Sequence, residues 1–390
     1  MIFVTWLIAL IVTGFLGILV LECGLALLQS PRIPLGRRGT IAVLIPAHNE
    51  ELGISQTLIM LRPQLIASDR VVVVADNCSD KTARLALDEG SEVVERFDSV
   101  QRGKGYALEA GVRYLSTNPP DVVVVLDADC ELDTGSIDAL ARAVATSGRP
   151  CQARNLLRLP KNAGPEASVS TFAFLVKNWV RPRALQRIGL PVLLNGTGMA
   201  FPWNIIEGAP LATGEIVEDL SLGLHFTRQR LGPVFCETAH VWSDLPSDPK
   251  AAVEQRTRWE HGYLGSILRD VPKLLLDVFR QRRIGLLCVA IDLMVPPLAL
   301  LAMLSCLSFA IILFLSLRTN HWTPLYVLAA TGITAGLGIV AVWFRFARDL
   351  IPAKVILAIP GYVVRKLNIY KRFVTARQNE WVRTERSNQG

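Results

Sequence analysis

The sequence is poor in charge for its length. Of its 390 residues only 19% are charged, whereas 51% are hydrophobic. These fractions exclude both a typical soluble enzyme and a purely membrane-embedded helical bundle. They fit a soluble domain with attached membrane segments. The seven cysteines form no CxxC pair, and His48, His225 and His261 lack metal-ligand spacing. We therefore expect reduced thiols, with neither a disulfide framework nor a zinc site.

Two common phosphate-binding motifs are also missing. The sequence has no GxxxxGK[ST], and no GxGxxG opens a helix after the first predicted strand. This excludes a P-loop NTPase and a standard dinucleotide-binding domain. The net charge of +7 suits nucleic acid, anionic lipid or phosphorylated small molecules about equally. Because the basic residues cluster beside apolar runs, we predict membrane lipids as partners and no nucleic acid.

Three long uncharged runs are present. They are 2–21, 293–317 and 322–344, and each is long enough to cross a bilayer as a helix. The alternative for the first run is a cleaved signal peptide, which is disfavoured because no positive region precedes it. The short link between the other two runs predicts a helical hairpin.

The placement of Lys and Arg predicts the orientation. Arg32, Arg37 and Arg38 follow the first run, and Arg345 and Arg348 follow the last. By the positive-inside rule both flanks are cytoplasmic, which predicts a multi-pass protein of the cell (inner) membrane with a cytoplasmic catalytic domain. We divide the chain into an N-terminal transmembrane anchor (1–29), a cytosolic domain (30–265), a basic amphipathic interfacial helix (266–292), a transmembrane hairpin (293–346), and an interfacial segment with a cytosolic tail (347–390).

The cytosolic domain carries a strand–helix alternation. Apolar strands are predicted within 41–50, 70–80 and 121–130, with helical stretches between them. Continuous valine runs are typical of strands buried on both faces, as in parallel sheets. The pattern predicts a doubly wound α/β domain, in which ligands bind at the carboxyl ends of the strands.

Polar residues follow each predicted strand at that edge. Asn49 and Glu50 follow the first strand, Asp76 and Asn77 the second, and the Asp127-Ala128-Asp129 stretch the third. Two carboxylates one residue apart at a strand end can hold Mg²⁺ or Mn²⁺. The alternative is a turn with solvated acids. The stretch 102–105, Arg-Gly-Lys-Gly, lies just before a helix and could approach a base or phosphates.

Two further stretches allow two interpretations each. Glu218 and Asp219 are either a catalytic pair or an acidic pair that stabilises a helix N-terminus. Gln255, Arg258 and Trp259 lie in QRTRW, which is either part of a site or a basic aromatic patch at the membrane edge. Neither stretch, taken alone, distinguishes between its two interpretations.

Taken in order, these motifs resemble glycosyltransferase family 2, the inverting enzymes of the GT-A fold. Within the family they are similar to the membrane-integrated branch that contains the cellulose, hyaluronan and poly-N-acetylglucosamine synthases. The matching stretches are PAHNE at 46–50, ADNCSD at 75–80, RGKGYAL at 102–108, DAD at 127–129, VED at 217–219 and QRTRW at 255–259.

The resemblance implies a role for each matching residue. Asp219 would be the general base, with Glu218 beside it. The metal, Mg²⁺ or Mn²⁺, would be held by Asp129 and Asp127. The nucleotide-sugar residues would be Pro46, Glu50, Asp76, Lys104, Asp127 and Arg258. The acceptor residues would be Gly196, Thr197, Gln255 and Trp259.

The resemblance implies a Rossmann-like nucleotide-sugar-binding domain of the GT-A fold with transmembrane α-helices at both ends. The function expected is hexosyl transfer from a UDP-sugar to a growing polysaccharide or oligosaccharide. Ala75 and Val217 depart from the family pattern, and two C-terminal spans are few for a secretion channel. A homo-oligomer or a separate secretion partner therefore stays open. So do a monoglycosyltransferase acting on a glycolipid or other membrane lipid, and a non-catalytic nucleotide-sugar-binding scaffold.

Overall fold

The computed structural model describes residues 1–29, 36–159, 163–245 and 248–377. Arg32 and the predicted tail beyond residue 377 lie outside these ranges. The described residues fall into two compact units. One, the sheet unit, comprises 36–159, 189–245 and 248–266. The other, the helical unit, comprises 1–29, 163–188 and 267–377.

The sheet unit is built on one mixed sheet. Its strands are β1 (Ile41–Ala47), β2 (Arg70–Asp76), β3 (Glu92–Arg96), β4 (Val122–Val125), β5 (Cys130–Leu132), β6 (Cys151–Arg158), β7 (Met199–Pro202) and β8 (Val234–Asp244). Their order is β3-β2-β1-β4-β7-β6-β8-β5. Strands β1 to β4 pair in parallel, β7 runs antiparallel to β4 and β6, and β5 runs antiparallel to β8. The expected α/β architecture is thus present, with a mixed second half that the valine pattern did not predict.

Helices cover both faces of this sheet. They are α2 (Ile54–Leu61), α3 (Thr82–Asp88), α4 (Lys104–Leu115), α5 (Ser136–Ser147), α8 (Trp203–Ile206), α9 (Glu218–Arg228) and the first part of α10 (Pro249–Gln281). Val43 of β1, Val72, Val73 and Val74 of β2, and Val122–Val125 of β4 are buried and alternate between two core clusters. The continuous valine runs therefore reflect burial on both faces. This packing fixes the carboxyl ends of β1, β2 and β4 at one edge of the sheet.

The helical unit contains seven further helices. They are α1 (Ile2–Leu27), α6 (Pro165–Leu175), α7 (Arg181–Arg187), α11 (Ile284–Met294), α12 (Leu298–Thr319), α13 (Thr323–Val342) and α14 (Ile359–Thr375). Among the described residues, three helices are long and apolar enough to cross a membrane: 2–27, 298–319 and 323–347. They coincide with the three runs predicted from the sequence. The predicted interfacial helix at 266–292 is not one helix: it is divided between the second half of α10 and most of α11, with a break at 282–283.

A buried ion cluster ties three helices of this unit together. The Arg181 guanidinium donates to Glu22 of α1 at 2.9 Å and to Asp292 of α11 at 2.7 Å. Arg183 donates to the carbonyl of Ala26 at 2.7 Å. Buried charges are retained in apolar surroundings only when they are paired. The short α7 helix is therefore bound to the C-terminal end of α1 by polar contacts as well as by packing.

Candidate active site

Two asparagines shape the loops after β1 and β2. Asn49 and Asn77 adopt left-handed backbone conformations with φ of 54° and 53°. Asparagine tolerates this conformation better than most residues. The Asn49 side chain accepts from the Ser79 amide at 2.7 Å, and the Glu50 amide donates to Thr82 Oγ1 at 2.7 Å. The two loops are thus joined by hydrogen bonds, and the Glu50 backbone is fixed beside the first residue of α3.

The predicted nucleoside contact, Asp76, is the last residue of β2. Its side chain is largely buried. It accepts one hydrogen bond from the Arg96 guanidinium at 2.7 Å and another from the side-chain Nδ2 of Asn77 at 3.0 Å. Both donors bind the same oxygen, Oδ1. Pro46, another predicted nucleotide residue, lies in β1 opposite Val74 of β2.

Three potential metal ligands lie together after β4. Asp127, Asp129 and Cys130 place one ligand atom each within 4.8 Å of one another. Burial and the two carboxylates raise the pKa of the Cys130 thiol well above its usual range, so this sulfur keeps its proton. The usable donors are therefore the two carboxylates. Oxygen ligands are those that Mg²⁺ and Mn²⁺ prefer, so the residues present fit the predicted cation.

Lys104 links the metal motif to a distant loop. Its ammonium group donates to Asp127 Oδ1 and, at 2.7 Å, to the carbonyl oxygen of Gly196. The carboxylate of Asp127 raises the pKa of this lysine against the opposing effect of burial, and Glu218 and Asp219 contribute in the same direction. Lys104 therefore remains charged and joins α4, the end of β4 and the 195–198 loop.

Buried polar side chains fix the 195–198 loop through hydrogen bonds. The Thr197 hydroxyl accepts from the Asp127 amide at 3.1 Å, and the Gln152 side chain binds the Asn195 amide and the Thr197 carbonyl. Gly198 has a φ of +63°, and a Cβ there would lie 2.5 Å from Val241 Cγ2. Only glycine satisfies both the backbone conformation and the space. The loop that carries Gly196 and Thr197 is consequently rigid.

Glu218 and Asp219 are the first two residues of α9. A Cβ built on Gly196 would lie 3.4 Å from Asp219 Oδ2 and 3.6 Å from Lys104 Nζ, so these groups surround one point. Burial, and then the charge of Asp219, raises the pKa of Glu218 to about 8. The Glu218–Asp219 pair therefore binds a proton more readily than free carboxylates do. Helix N-terminal placement also favours negative charge in this turn, so the structural and catalytic interpretations are compatible.

The QRTRW stretch forms part of α10. Gln255, Arg258, Trp259 and Gly262 recur at helical spacing and share one face of this helix. A Cβ on Gly262 would lie 2.7 Å from Val217 Cγ1, so the Val217 side chain packs directly against the backbone of α10 at Gly262. The face that carries the predicted diphosphate and acceptor residues is therefore packed against the residue that precedes Glu218.

Sequence reasoning missed three residues of this region. Arg96 lies at the end of β3, a strand whose short, partly charged sequence gave no strand signal. Gln152 is fully buried in β6, and Gly262 follows the recognised motif by three residues. A close packing contact leaves no mark in a single sequence beyond the presence of a small residue.

Comparisons with known proteins agree with this geometry. The family model described as "Glycosyltransferase like family 2" matches residues 38–262. A probable glycosyltransferase, YdaM of Bacillus subtilis, is 28% identical over 262 residues, which cover 62% of this chain and 59% of the relative. The 4,4'-diaponeurosporenoate glycosyltransferase of Staphylococcus haemolyticus is 25% identical over 49% of this chain and 52% of its own length. The chain thus spans about half to three fifths of these relatives.

One solved structure resembles nearly the whole chain. The mannosyltransferase PcManGT of Pyrobaculum calidifontis, in complex with GDP-Man and Mn²⁺, matches with a TM-score of 0.58 and 15% identity over 96% of this chain and all of that protein. This similarity shows the fold, which is the predicted GT-A arrangement. Because the family model spans more than half of the residues, the chain belongs to glycosyltransferase family 2.

Proposed function

We propose that the protein is a membrane-bound inverting glycosyltransferase that moves a hexose from a UDP-sugar to a growing polysaccharide or oligosaccharide. The observation that carries this proposal is the convergence of Lys104, Asp127, Gly196 and Asp219 on one point. At this point the ammonium group of Lys104 can bind a diphosphate. The carboxylate of Asp219 beside it can accept the proton of an acceptor hydroxyl. The predicted cytosolic domain, 30–265, would face the cytoplasm, with the apolar helices in the inner membrane.

Each group has a distinct task in this proposal. Asp219 accepts the proton of the attacking hydroxyl, because its carboxylate lies with Lys104 beside Gly196, where the groups of the site converge. The guanidinium of Arg258 offers a planar fork of donors to the diphosphate. Trp259 offers an aromatic face to an acceptor sugar. Asp127 and Asp129 would hold the divalent cation, which would neutralise charge on the leaving diphosphate.

The base assignment has a direct test. In the purified protein, Asp219→Asn is expected to lower turnover from a UDP-hexose by about 10²–10⁴-fold, the range for loss of a general base. Binding of UDP, measured by calorimetry, should remain. Asp88→Asn is a matched control, because Asp88 is an exposed residue of α3 in the same unit. Retained turnover in Asp219→Asn would show that another group takes the proton.

A lipid acceptor is the second candidate. Only three described helices are long enough to span a membrane, which is few for a polymer channel within one chain. One relative is named after 4,4'-diaponeurosporenoate and not after a polysaccharide. The two acceptors differ in product, so native membranes are incubated with a panel of radiolabelled UDP-sugars. Label in an ethanol-insoluble polymer supports the synthase, and label in a chloroform extract supports the lipid enzyme.

The same panel tests whether the protein is a catalyst at all. If the wild-type protein binds a UDP-sugar but no donor releases UDP with membranes or added glycans, a nucleotide-sugar-binding scaffold replaces the proposed transferase. The chain retains the predicted metal ligand, the base and the complete QRTRW motif, that is Asp129, Asp219, Gln255, Arg258 and Trp259. This argues for catalysis, because a scaffold needs neither a general base nor residues that bind an acceptor.

A further inference from the structure

Gln152 of β6 carries a fully buried amide next to the 195–198 loop. Its Oε1 accepts from the Asn195 backbone amide at 3.0 Å, and its Nε2 donates to the Thr197 carbonyl at 2.9 Å. Nε2 also donates to the carbonyl of Ala153, in its own strand, at 3.0 Å. The oxygen and both N–H groups of the amide are therefore used. A half-turn of the amide would bring two donors together at Asn195, so these partners fix one orientation of the side chain.

This side chain takes the place of a strand where the loop leaves the sheet. Backbone pairing between β6 and β7 extends to a bond from the Ala153 amide to the Gly198 carbonyl at 2.8 Å. Beyond this bond, the Gln152 amide accepts from the Asn195 N–H and donates to the Thr197 carbonyl. A side-chain amide carries the same kinds of donor and acceptor as a peptide group, so it can pair with the loop as a strand would. The conformation of the loop thus depends on one side chain.

The two loop bonds lie on either side of Gly196. This glycine has a φ of +89°, and its carbonyl accepts from the Lys104 ammonium at 2.7 Å. The same ammonium is paired with Asp127, and Asp219 Oδ2 lies 3.4 Å from the position of a Cβ on Gly196. Holding the residues before and after Gly196 therefore fixes the direction of its carbonyl, and with it the place of the lysine beside the proposed base.

We infer that Gln152 is a positioning residue for glycosyl transfer, which fixes the Gly196 carbonyl and through it the ammonium of Lys104. The inference rests on the proposed function, since it requires turnover of a nucleotide sugar. When the carbonyl moves, Lys104 keeps its ion pair with Asp127, so the donor still binds. The ammonium is then displaced from Asp219, and the groups that act together in the transition state no longer fit. The expected signature is a lower kcat with little change in the KM of the donor.

The first test is Gln152→Met, which keeps the length of the side chain and removes its hydrogen bonds. The rate of UDP release is measured with the full chain in native membranes, using the UDP-hexose that the wild-type protein turns over fastest. We expect kcat to fall by about tenfold to a hundredfold, the range for a displacement of about 1 Å at a reacting group. The KM for the UDP-hexose should change by less than about threefold, because the loss is confined to the transition state.

Gln64→Met is the matched control. The Gln64 side chain also donates an amide hydrogen to a backbone carbonyl, that of Leu132, at 3.0 Å. This bond joins the segment after α2 to β5 and not to the 195–198 loop. The same substitution therefore removes the same kind of bond in the same unit, and kcat should stay at the wild-type value whatever happens to the melting temperature.

A double-mutant cycle separates positioning from a general loss of stability. Because Gln152 acts through Lys104, Gln152→Met should lower kcat by less than about twofold in protein that already carries Lys104→Met. A purely structural effect would lower kcat by the same factor in both backgrounds. If Gln152→Met does not fold, Gln152→Asn takes its place in the cycle. It keeps the amide on a side chain that is one methylene shorter, so we expect a smaller fall in kcat with the same non-additivity.

The results that would overturn the inference are distinguishable from failure of the proposed function. Equal factors in the two backgrounds, or a kcat for folded Gln152→Met no lower than that of Gln64→Met, would show that Gln152 does not position Lys104, and the proposed function would stand. A donor KM that rises as much as kcat falls would place Gln152 in donor binding instead. No release of UDP from any UDP-hexose by the folded wild-type protein removes both the inference and the proposed function.

Discussion

The close contact between Gly262 and Val217 makes a sharp prediction for Gly262→Ala. The added methyl group would lie 2.7 Å from Val217 Cγ1 and 3.4 Å from Val217 Cγ2. Carbon atoms normally pack at about 3.5–4.0 Å, so the Val217 side chain, with its backbone, or the backbone of α10 must move by roughly 0.8 Å or more. Val217 directly precedes Glu218 and Asp219, so the displacement is transmitted to the proposed base.

We expect Gly262→Ala to affect the catalytic rate more strongly than the stability of the fold. Overpacking of this size costs about 1–3 kcal/mol of stability. A misplacement of about 1 Å at a reacting group can cost about 10²-fold in rate. We therefore expect Gly262→Ala to remain folded in detergent, with a modestly lower melting temperature, while kcat for UDP release falls by about tenfold to a hundredfold. The affinity for UDP should change little.

Removing the two Val217 methyl groups, which the new Cβ at position 262 would contact, should restore activity. Val217→Ala deletes two of the three atoms that the new methyl group would meet, including the nearest, and leaves Ile216 Cγ2 at 3.4 Å. The double variant Gly262→Ala/Val217→Ala should therefore be more active than Gly262→Ala alone. Gly214→Ala, in the same segment but with open space around its Cβ, is the control and should behave as wild type. A Gly262→Ala enzyme within twofold of wild type, or a double variant no better than the single one, would refute the reasoning.

The other predictions concern charge and backbone. Lys104→Met should weaken UDP binding and lower turnover, measured by calorimetry and UDP release, because the ammonium that joins Asp127 to the 195–198 loop is lost. Because the folded-state pKa of Glu218 is raised from 4.5 to about 8, its contribution to the free energy of unfolding is present below about pH 4.5 and is lost as the pH rises through 8. Glu218→Gln should flatten the fall in melting temperature over that window. Gly198→Ala should lower the melting temperature more than Gly148→Ala, since both have φ near +60° but only the first meets other atoms.

The sequence predicted the elements whose signal is local. A short apolar run identified β1, continuous valine runs identified β2 and β4, and the long apolar runs identified α1, α12 and α13. The family and the fold class were predicted from motif order and are confirmed by the family model and the structural neighbour. These features could be found because burial on both faces, or within a bilayer, leaves a contiguous mark in the sequence.

Long-range contacts were beyond the sequence. Lys104 and Gly196 are 92 positions apart, and nothing in either stretch indicates that an ammonium and a carbonyl meet. The antiparallel insertion of β7 between β4 and β6 brings the 195–198 loop to the metal motif. The ion pair of Asp76 with Arg96 likewise depends on the register of β3. Roles assigned to single residues stay predictions until the variants are measured.

The charges around Lys104 give a final prediction about the metal. The carboxyl groups of Asp127, Asp129, Glu218 and Asp219 outnumber the single ammonium group of Lys104 beside them. An excess of negative charge repels a diphosphate, and a divalent cation held by Asp127 and Asp129 would reduce that excess. UDP affinity should therefore fall by at least about tenfold on chelation with EDTA. Mn²⁺ should restore it in wild-type protein, and Asp129→Asn should need more Mn²⁺. UDP binding that is indifferent to EDTA would mean that Lys104 and Arg258 suffice for the diphosphate and that the two carboxylates have another role.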